Sequence, residues 1–330
     1  MESRGERNVQ VALSNPIILT AILKQASAPL KTCRLVSHFW NEIVLSLKNT
    51  KLALNLEYKM NSENNALPFF EMCYPSDDRI AKRISATCCT YWDRFEPPHQ
   101  TNLFSYRIMH IGDKFSHQIQ ILHICIDFED CLHAVFQILK NFCPNLKQLK
   151  ITINNDYDDN LAGPILPAAL LPKPNLTLVE VYALSVVTPS LTSLIQLVVN
   201  ASPNLRKVLI PWGIYPDFVN LKSLGSLTTS LDNREMDAAQ IEVNPTELSP
   251  MLGQVADQLV SLSFEVRNHY GRQARFDFEN FNSTRFRLPR NMSKLKTFEN
   301  DMIDISRYLS AIICRFSSDM SKVTATVGVV

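Results

Sequence analysis

The chain's 330 residues suffice for one large or two ordinary folded units, and its 46% apolar and 20% charged residues exclude a solvated, disordered tail. Lysine plus arginine number 33 against 32 aspartate plus glutamate, with no long block of one sign, so the electrostatic footprint of a general nucleic-acid binder is missing. The eight cysteines are too sparse for a disulfide scaffold and show no C-x-x-C pair, which excludes the usual cysteine metal frameworks.

No stretch approaches the ~18 uninterrupted apolar residues of a membrane span. The polar start from Met1 to Gln10 leads into no small-residue cleavage pattern. These features predict an intracellular protein in a reducing compartment, in the cytoplasm with the nucleus as the alternative, and no membrane partner.

The first unit spans residues 1–50. Asn15 is placed to cap a helix that opens on Pro16, where the missing N–H is no loss. Ile18, Leu19, Ile22 and Leu23 recur at helical spacing and predict a helix from Pro16 to Gln25. Ala26 to Pro29 breaks the pattern, with Ser27 as a cap and Pro29 opening the next helix. Leu30, Cys33, Val36, Trp40, Ile43, Val44 and Leu47 then follow at three- and four-residue steps, with a kink or short turn inside Arg34 to Phe39. Two or three helices should meet across a small apolar core, as a docking module or as a cap over the next unit.

Leu13-Ser-Asn-Pro-Ile-Ile-Leu-Thr-Ala-Ile-Leu, followed by Leu30-Lys-Thr-Cys-Arg-Leu-Val-Ser-His-Phe-Trp40, resembles an F-box motif over about 35 residues. The resemblance implies docking to the adaptor subunit of an SCF-type ubiquitin ligase and, through it, to a cullin-RING assembly. By position, Leu13, Pro16, Ile17, Ile18, Ile22 and Leu23 would supply the first adaptor-binding surface, and Leu30, Cys33, Leu35, Val36 and Trp40 the second. The family's Leu-Pro-x-Glu opening reads Leu13-Ser14-Asn15-Pro16 here, so the proline is displaced and the acidic residue is absent.

Residues 51–117 read as a linker and N-terminal flank. Leu52 to Tyr58 alternates like a strand, and Met60 to Asn65 is a polar loop. Phe69, Phe70, Tyr74, Tyr91, Trp92 and Phe95 read as satellite core, with a ligand pocket as the alternative. Cys88-Cys89 near His99 has no second ligand pair, so no metal is expected.

In residues 118–330 a loose L-x-x-L-x-I trio recurs: Ile119/Leu122/Ile124, Leu146/Leu149/Ile151, Leu176/Val179/Val181, Leu205/Val208/Ile210 and Leu259/Leu262/Phe264. The intervals are 27, 30, 29 and then 54, leaving room for a degenerate repeat between Leu221 and Glu242. Pro144-Asn145, Pro174-Asn175 and Pro203-Asn204 precede three of the trios. Proline stops a preceding helix and asparagine tolerates turn geometry. Helices are expected over Leu132 to Phe142, Leu191 to Ala201 and Met251 to Leu259, and Met292/Leu295 begin a candidate sixth strand. A strand-helix unit of this length buries its apolar side only by stacking on copies of itself. The pattern resembles a leucine-rich repeat horseshoe, so the expected fold class is α/β, a short N-terminal F-box-like helical module followed by an irregular leucine-rich arc. An ordinary α/β domain with evenly spaced strands is the alternative.

With the trio inward, the intervening side chains line the concave face. Lys150, Glu180, Tyr182, Lys207, Leu209 and Trp212 form the candidate target-binding cluster, apolar anchors with charged selectors. The acidic run from Asn155 to Asn160 lacks the calcium-loop glycine and glutamate and reads as a solvated loop. Arg267, His269, Tyr270, Arg272 and Arg275 make a modest basic patch that does not amount to dedicated nucleic-acid binding.

No metalloprotease motif, phosphate loop or nucleophile elbow occurs. The expectation is therefore a non-enzymatic substrate receptor with no catalytic residue, metal or cofactor, carrying an unidentified protein target. A leucine-rich scaffold without ligase association is the rival, and a hydrolase a distant third.

Overall fold

Four helices open the chain: α1 (Arg4–Ser14), α2 (Pro16–Gln25), α3 (Leu30–Cys33) and α4 (His38–Ser46). The computed structural model describes residues 4–25, 30–47, 53–57, 77–88, 97–127, 129–154, 169–183, 187–232, 245–267, 288–289 and 291–300. Ser27, Pro29, the 60–65 loop, the aromatic residues 69–74 and 91–95, Cys89, the acidic run 155–160 and the basic patch His269, Tyr270, Arg272 and Arg275 lie outside them.

α2 begins where the sequence places it. The Asn15 Oδ1 accepts the Ile17 N–H at 2.9 Å and the Ile18 N–H at 3.3 Å, satisfying donors that a helix start leaves without partners. α3 ends after a single turn, the chain reverses through Arg34–Ser37, and Ser37 Oγ accepts the Trp40 N–H to start α4. Leu19, Leu23, Cys33, Val44, Leu45 and Leu47 form the buried centre, with Leu13, Leu30, Trp40 and Ile43 packed against it. α1 was not expected, because Met1 to Gln10 is polar and mixed in charge; it packs against α2.

Beyond the helices runs one nine-stranded sheet: β1 (Leu54–Glu57), β2 (Arg83–Cys88), β3 (Ile121–Ile126), β4 (Gln148–Ile153), β5 (Leu178–Ala183), β6 (Lys207–Pro211), β7 (Ser226–Asp232), β8 (Ser261–Arg267) and β9 (Thr297–Asn300). Every neighbouring pair is parallel and the spatial order is the chain order. α5 (Pro97–Phe115), α6 (Cys131–Asn141), α7 (Pro189–Ala201) and α8 (Pro245–Val255) alternate with the strands. The result is a solenoid-like α/β fold of repeating short parallel strands and helices.

The register aligns the apolar pattern across the repeats. Ile84, Leu122, Leu149, Val179, Val208, Leu227, Leu262 and Phe298 make one continuous row, all buried. Ile119, Leu146, Leu176, Leu205, Leu224, Leu259 and Leu295 are buried just before their strands. No single repeat could cover either row alone; neighbours do it for one another.

The sheet also reaches into residues 51–117. β2 carries the trio as Ala81/Ile84/Ala86, all buried, and its small side chains hide the pattern from a search for large ones. α5 buries Phe104, Ile108, Ile111 and Phe115 at three- and four-residue steps. Gly112 lets it approach α6, since a Cβ there would meet Ile138 Cγ1 and Phe142 Cδ2 at 2.8 Å. β7 fills the 54-residue gap with Leu224/Leu227/Thr229, the threonine buried where β3 to β6 carry isoleucine or valine. α8 starts six residues before the expected Met251, and β9 starts two residues after Leu295.

The Pro-Asn corners do more than turn. Asn145 Nδ2 donates to the His117 carbonyl at 2.9 Å and Asn204 Nδ2 to the Pro174 carbonyl at 2.9 Å, so each ties its corner to the preceding one. Between them Lys173 is buried, its Nζ donating to the Phe142 carbonyl at 2.6 Å and the Cys143 carbonyl at 3.3 Å. It closes the C-terminal end of α6, where Cys143 turns the chain with φ 59°. Burial pushes the Lys173 amine below its ordinary range and the Cys143 thiol up to about 12.

Candidate docking surfaces

α2 is apolar on more than one side. Leu19 and Leu23 enter the core, so Ile18 and Ile22, offset by one residue in the helical turn, are left at 42% and 39% exposure beside Ile17 at 78%. The reversal after α3 has the same effect on Leu35 and Val36, which are 85% and 60% exposed. Their backbone N–H groups are held by the Thr32 and Cys33 carbonyls, and Arg34 Nε donates to Asn41 Oδ1 at 2.7 Å. The turn is thus fixed while its apolar side chains point outward. Exposed apolar side chains gathered on so small a unit are the usual mark of a protein-protein contact.

The expected adaptor-binding residues therefore divide. Pro16, Ile17, Ile18, Ile22, Leu35 and Val36 are exposed; Leu13, Leu30 and Trp40 are half-buried against the small core. Leu23 and Cys33 are interior, and direct contact by them is corrected to a packing role. Phe39, 37% exposed and absent from the sequence-based set, joins the outer face; its place at the start of α4, three residues after Val36, was the available signal.

A second surface lies on the sheet. His123, Lys150, Glu180 and Leu209 stand side by side in successive strands. Lys150 Nζ sits 4.9 Å from the centre of the Tyr182 ring, a cation-π arrangement. Tyr182 Oη donates to Glu180 Oε2 at 3.3 Å, and Lys207 Nζ lies 3.7 Å from Glu180 Oε1. Burial and the nearby Lys150 charge lower the His123 pKa, against the opposing pull of Glu180. Lys150, Glu180, Tyr182 and Lys207 are thus brought together as a half-exposed polar cluster.

Leu209 and Trp212 do not join it. They are 3% and 5% exposed, and their assignment to an accessible hot spot is corrected. Alternation puts Leu209 on the same side as Glu180, but Thr228, Ser230 and Ser263 on the following strands are buried there too, so that side is covered around Leu209, while Lys207 and Glu299 stay exposed. Trp212 follows β6 into the core, with the Tyr215 and Phe264 rings edge-on at 6.4 and 6.1 Å. It plugs the seam between repeats.

At the other end of the strands, Asn154 Nδ2 donates to Asp127 Oδ1 at 3.1 Å and approaches Cys125 Sγ at 3.2 Å. Cys88 and Cys131 are buried with their sulfurs 3.8 Å apart, as packing thiols. Among the described residues no group of three or more His, Cys, Asp or Glu could hold a metal ion, and no helix is long and apolar enough to cross a membrane. No protein-family model and no curated protein matches the chain.

Proposed function

We propose that the chain is a substrate receptor of an SCF-type ubiquitin ligase, an F-box-like helical unit that docks to the adaptor and a leucine-rich repeat arc that holds a target protein. The observation that carries the proposal is the outward apolar set Ile17, Ile18, Ile22, Leu35 and Val36, on positions that match the motif, in a unit attached to a parallel-strand solenoid. Such a receptor performs no bond chemistry. It holds a target beside the transfer enzyme and raises the effective concentration of the target's lysines.

The rival reading, a repeat scaffold whose helices merely close the end of the sheet, draws on a different observation. Arg79 pairs with Glu42 of α4 at 2.8 Å while its Nε bonds Asp77 at 2.9 Å, and Ile80 packs into the helical core, so the helices are fastened to the first turn before β2. Purified full-length chain mixed with the ligase adaptor separates the two. A receptor gives a stable one-to-one complex that Ile22→Asp weakens by at least tenfold with an unchanged circular dichroism spectrum, because Ile22 lies outside the core. No complex with a folded chain selects the scaffold.

A further inference from the structure

We propose that the strand-start edge of the sheet, from β2 to β6, binds an extended acidic segment of a protein partner with carboxylates at every third residue. The inference rests on the reading of the sheet as the target-binding part and names the chemistry of that target.

Register places basic side chains on alternate strands. Arg83 opens β2 and aligns through Ile121 of β3, Gln148 of β4 and Leu178 of β5 with Lys207 of β6. One residue earlier, Lys147 and Arg206 belong to a second row: the Lys147 N–H donates to the Gln120 carbonyl, and the Arg206 N–H to that of Thr177. Cations therefore stand at β2, just before β4, and at β6, in two adjacent rows: Ile121, Gln148 and Leu178 lie between Arg83 and Lys207, and Thr177 lies between Lys147 and Arg206. Arg83, Lys147, Arg206 and Lys207 are exposed, whereas Ile121 and Leu178 are half-buried.

The row is also short of anions. Residues 116–120, 142–147, 170–177 and 202–206, which lead into β3 to β6, contain no aspartate or glutamate. Among the described residues Lys207 has Glu180 at 3.7 Å, and no carboxylate pairs with Arg83, Lys147 or Arg206. Like charges held along one edge with Glu180 as their one paired counter-charge among the described residues favour a ligand that supplies the rest.

Spacing selects the ligand's form. Parallel strands repeat every ~4.8 Å, so basic strands lie ~9.6 Å apart. A polyproline II segment rises ~3.1 Å per residue with three residues per turn, returning to the same face every ~9.3 Å. An acidic side chain at every third residue thus meets β2, β4 and β6 in turn, and apolar residues between them can lie on Ile121 and Leu178. Single-stranded nucleic acid fits less well, since it requires aromatic stacking platforms and none of Ile121, Gln148, Leu178 and Thr177, which lie between the cations, is aromatic.

The test uses the full-length chain and a fluorescein-labelled peptide with the core Glu-Pro-Val-Glu-Pro-Val-Glu, read by anisotropy. Controls are a permuted isomer with its three glutamates adjacent, the lysine counterpart, and labelled oligothymidylate. The spaced peptide should bind several-fold tighter than its isomer and lose affinity as salt rises. An exposed ion pair contributes ~1.5- to 5-fold, so the triple variant Arg83→Gln, Lys147→Gln, Arg206→Gln should weaken binding by ~3- to 100-fold with the thermal midpoint retained. Arg206→Gln alone provides a milder check. Equal binding of isomer and spaced peptide, unchanged binding by the triple variant, or tighter binding of oligothymidylate overturns the proposal. Adaptor docking is scored separately, and Ile22→Asp should leave peptide affinity at the wild-type value, so failure of one surface is distinguishable from failure of the other.

Discussion

Replacing Lys173 by methionine tests whether neighbouring repeats are joined by a buried charge. Methionine keeps most of the stem that fills the space and removes only the ammonium donor. Two carbonyls, those of Phe142 and Cys143, then lose a bond at 2.6 and 3.3 Å. Hydrogen bonds to a charged donor contribute ~1.5–3 kcal/mol each, while an acceptor buried without a partner costs ~1–3 kcal/mol. Against this stands the relief of no longer burying an ammonium group, the same desolvation that lowers the lysine's pKa. The longer bond contributes little, so the net loss expected is ~2 kcal/mol. In a fold of this size that lowers the thermal midpoint by ~4–8 °C. Calorimetry or urea titration followed by circular dichroism measures it. A midpoint unchanged or raised in Lys173→Met would refute the claim that the lysine is a net-favourable closure of α6.

Two further outcomes follow from the same region. Gly112→Ala gains ~1 kcal/mol of helix propensity, but its Cβ meets Ile138 and Phe142 at 2.8 Å, and overpacking costs ~1–3 kcal/mol. A net loss of ~1 kcal/mol of unfolding free energy in a urea titration is expected, and a gain would mean that α5 and α6 separate freely. Cys143 has its thiol pKa raised from 9.0 to about 12 by burial, so the folded chain keeps a proton that the unfolded chain releases. Its contribution is intact below pH 9 and is lost as pH rises toward 12, up to ~4 kcal/mol in total. Cys143→Ala should flatten the alkaline limb of a stability-pH profile, and an unaltered limb would assign the loss to other groups.

Legibility in the sequence followed side-chain size and local chemistry. The row through Leu149, Val179, Val208 and Leu262 could be read from spacing because each position carries a large aliphatic residue, and Asn15-Pro16 located a helix start because capping is a local bond. β2 escaped because Ala81 and Ala86 hold places that other repeats give to leucine and isoleucine; stacking tolerates a thin repeat where a helix such as α5 fills the volume. β7 was legible only as a degenerate repeat between Leu221 and Glu242, since Thr229 breaks the apolar rule while remaining fully buried. At the sites, alternation assigned the correct side of the strand to Glu180 and Lys150. It failed for Leu209 because burial of an outward residue depends on what the fold lays over it, which no local period records. Trp212 failed for the opposite reason, since a tryptophan just past a strand end looks like an anchor, whereas here it is buried with the Tyr215 and Phe264 rings edge-on to it.

Because each strand bonds only to its immediate predecessor and successor, the molecule is wired in series. Strand pairing joins only neighbouring repeats, so folding can start at any interior unit and spread outward. Damage to one unit should divide the array into two shorter stacks and expose a fresh pair of edges, whereas loss of a terminal unit only shortens it. Whole units can accordingly be gained or shed in evolution without rewriting the rest.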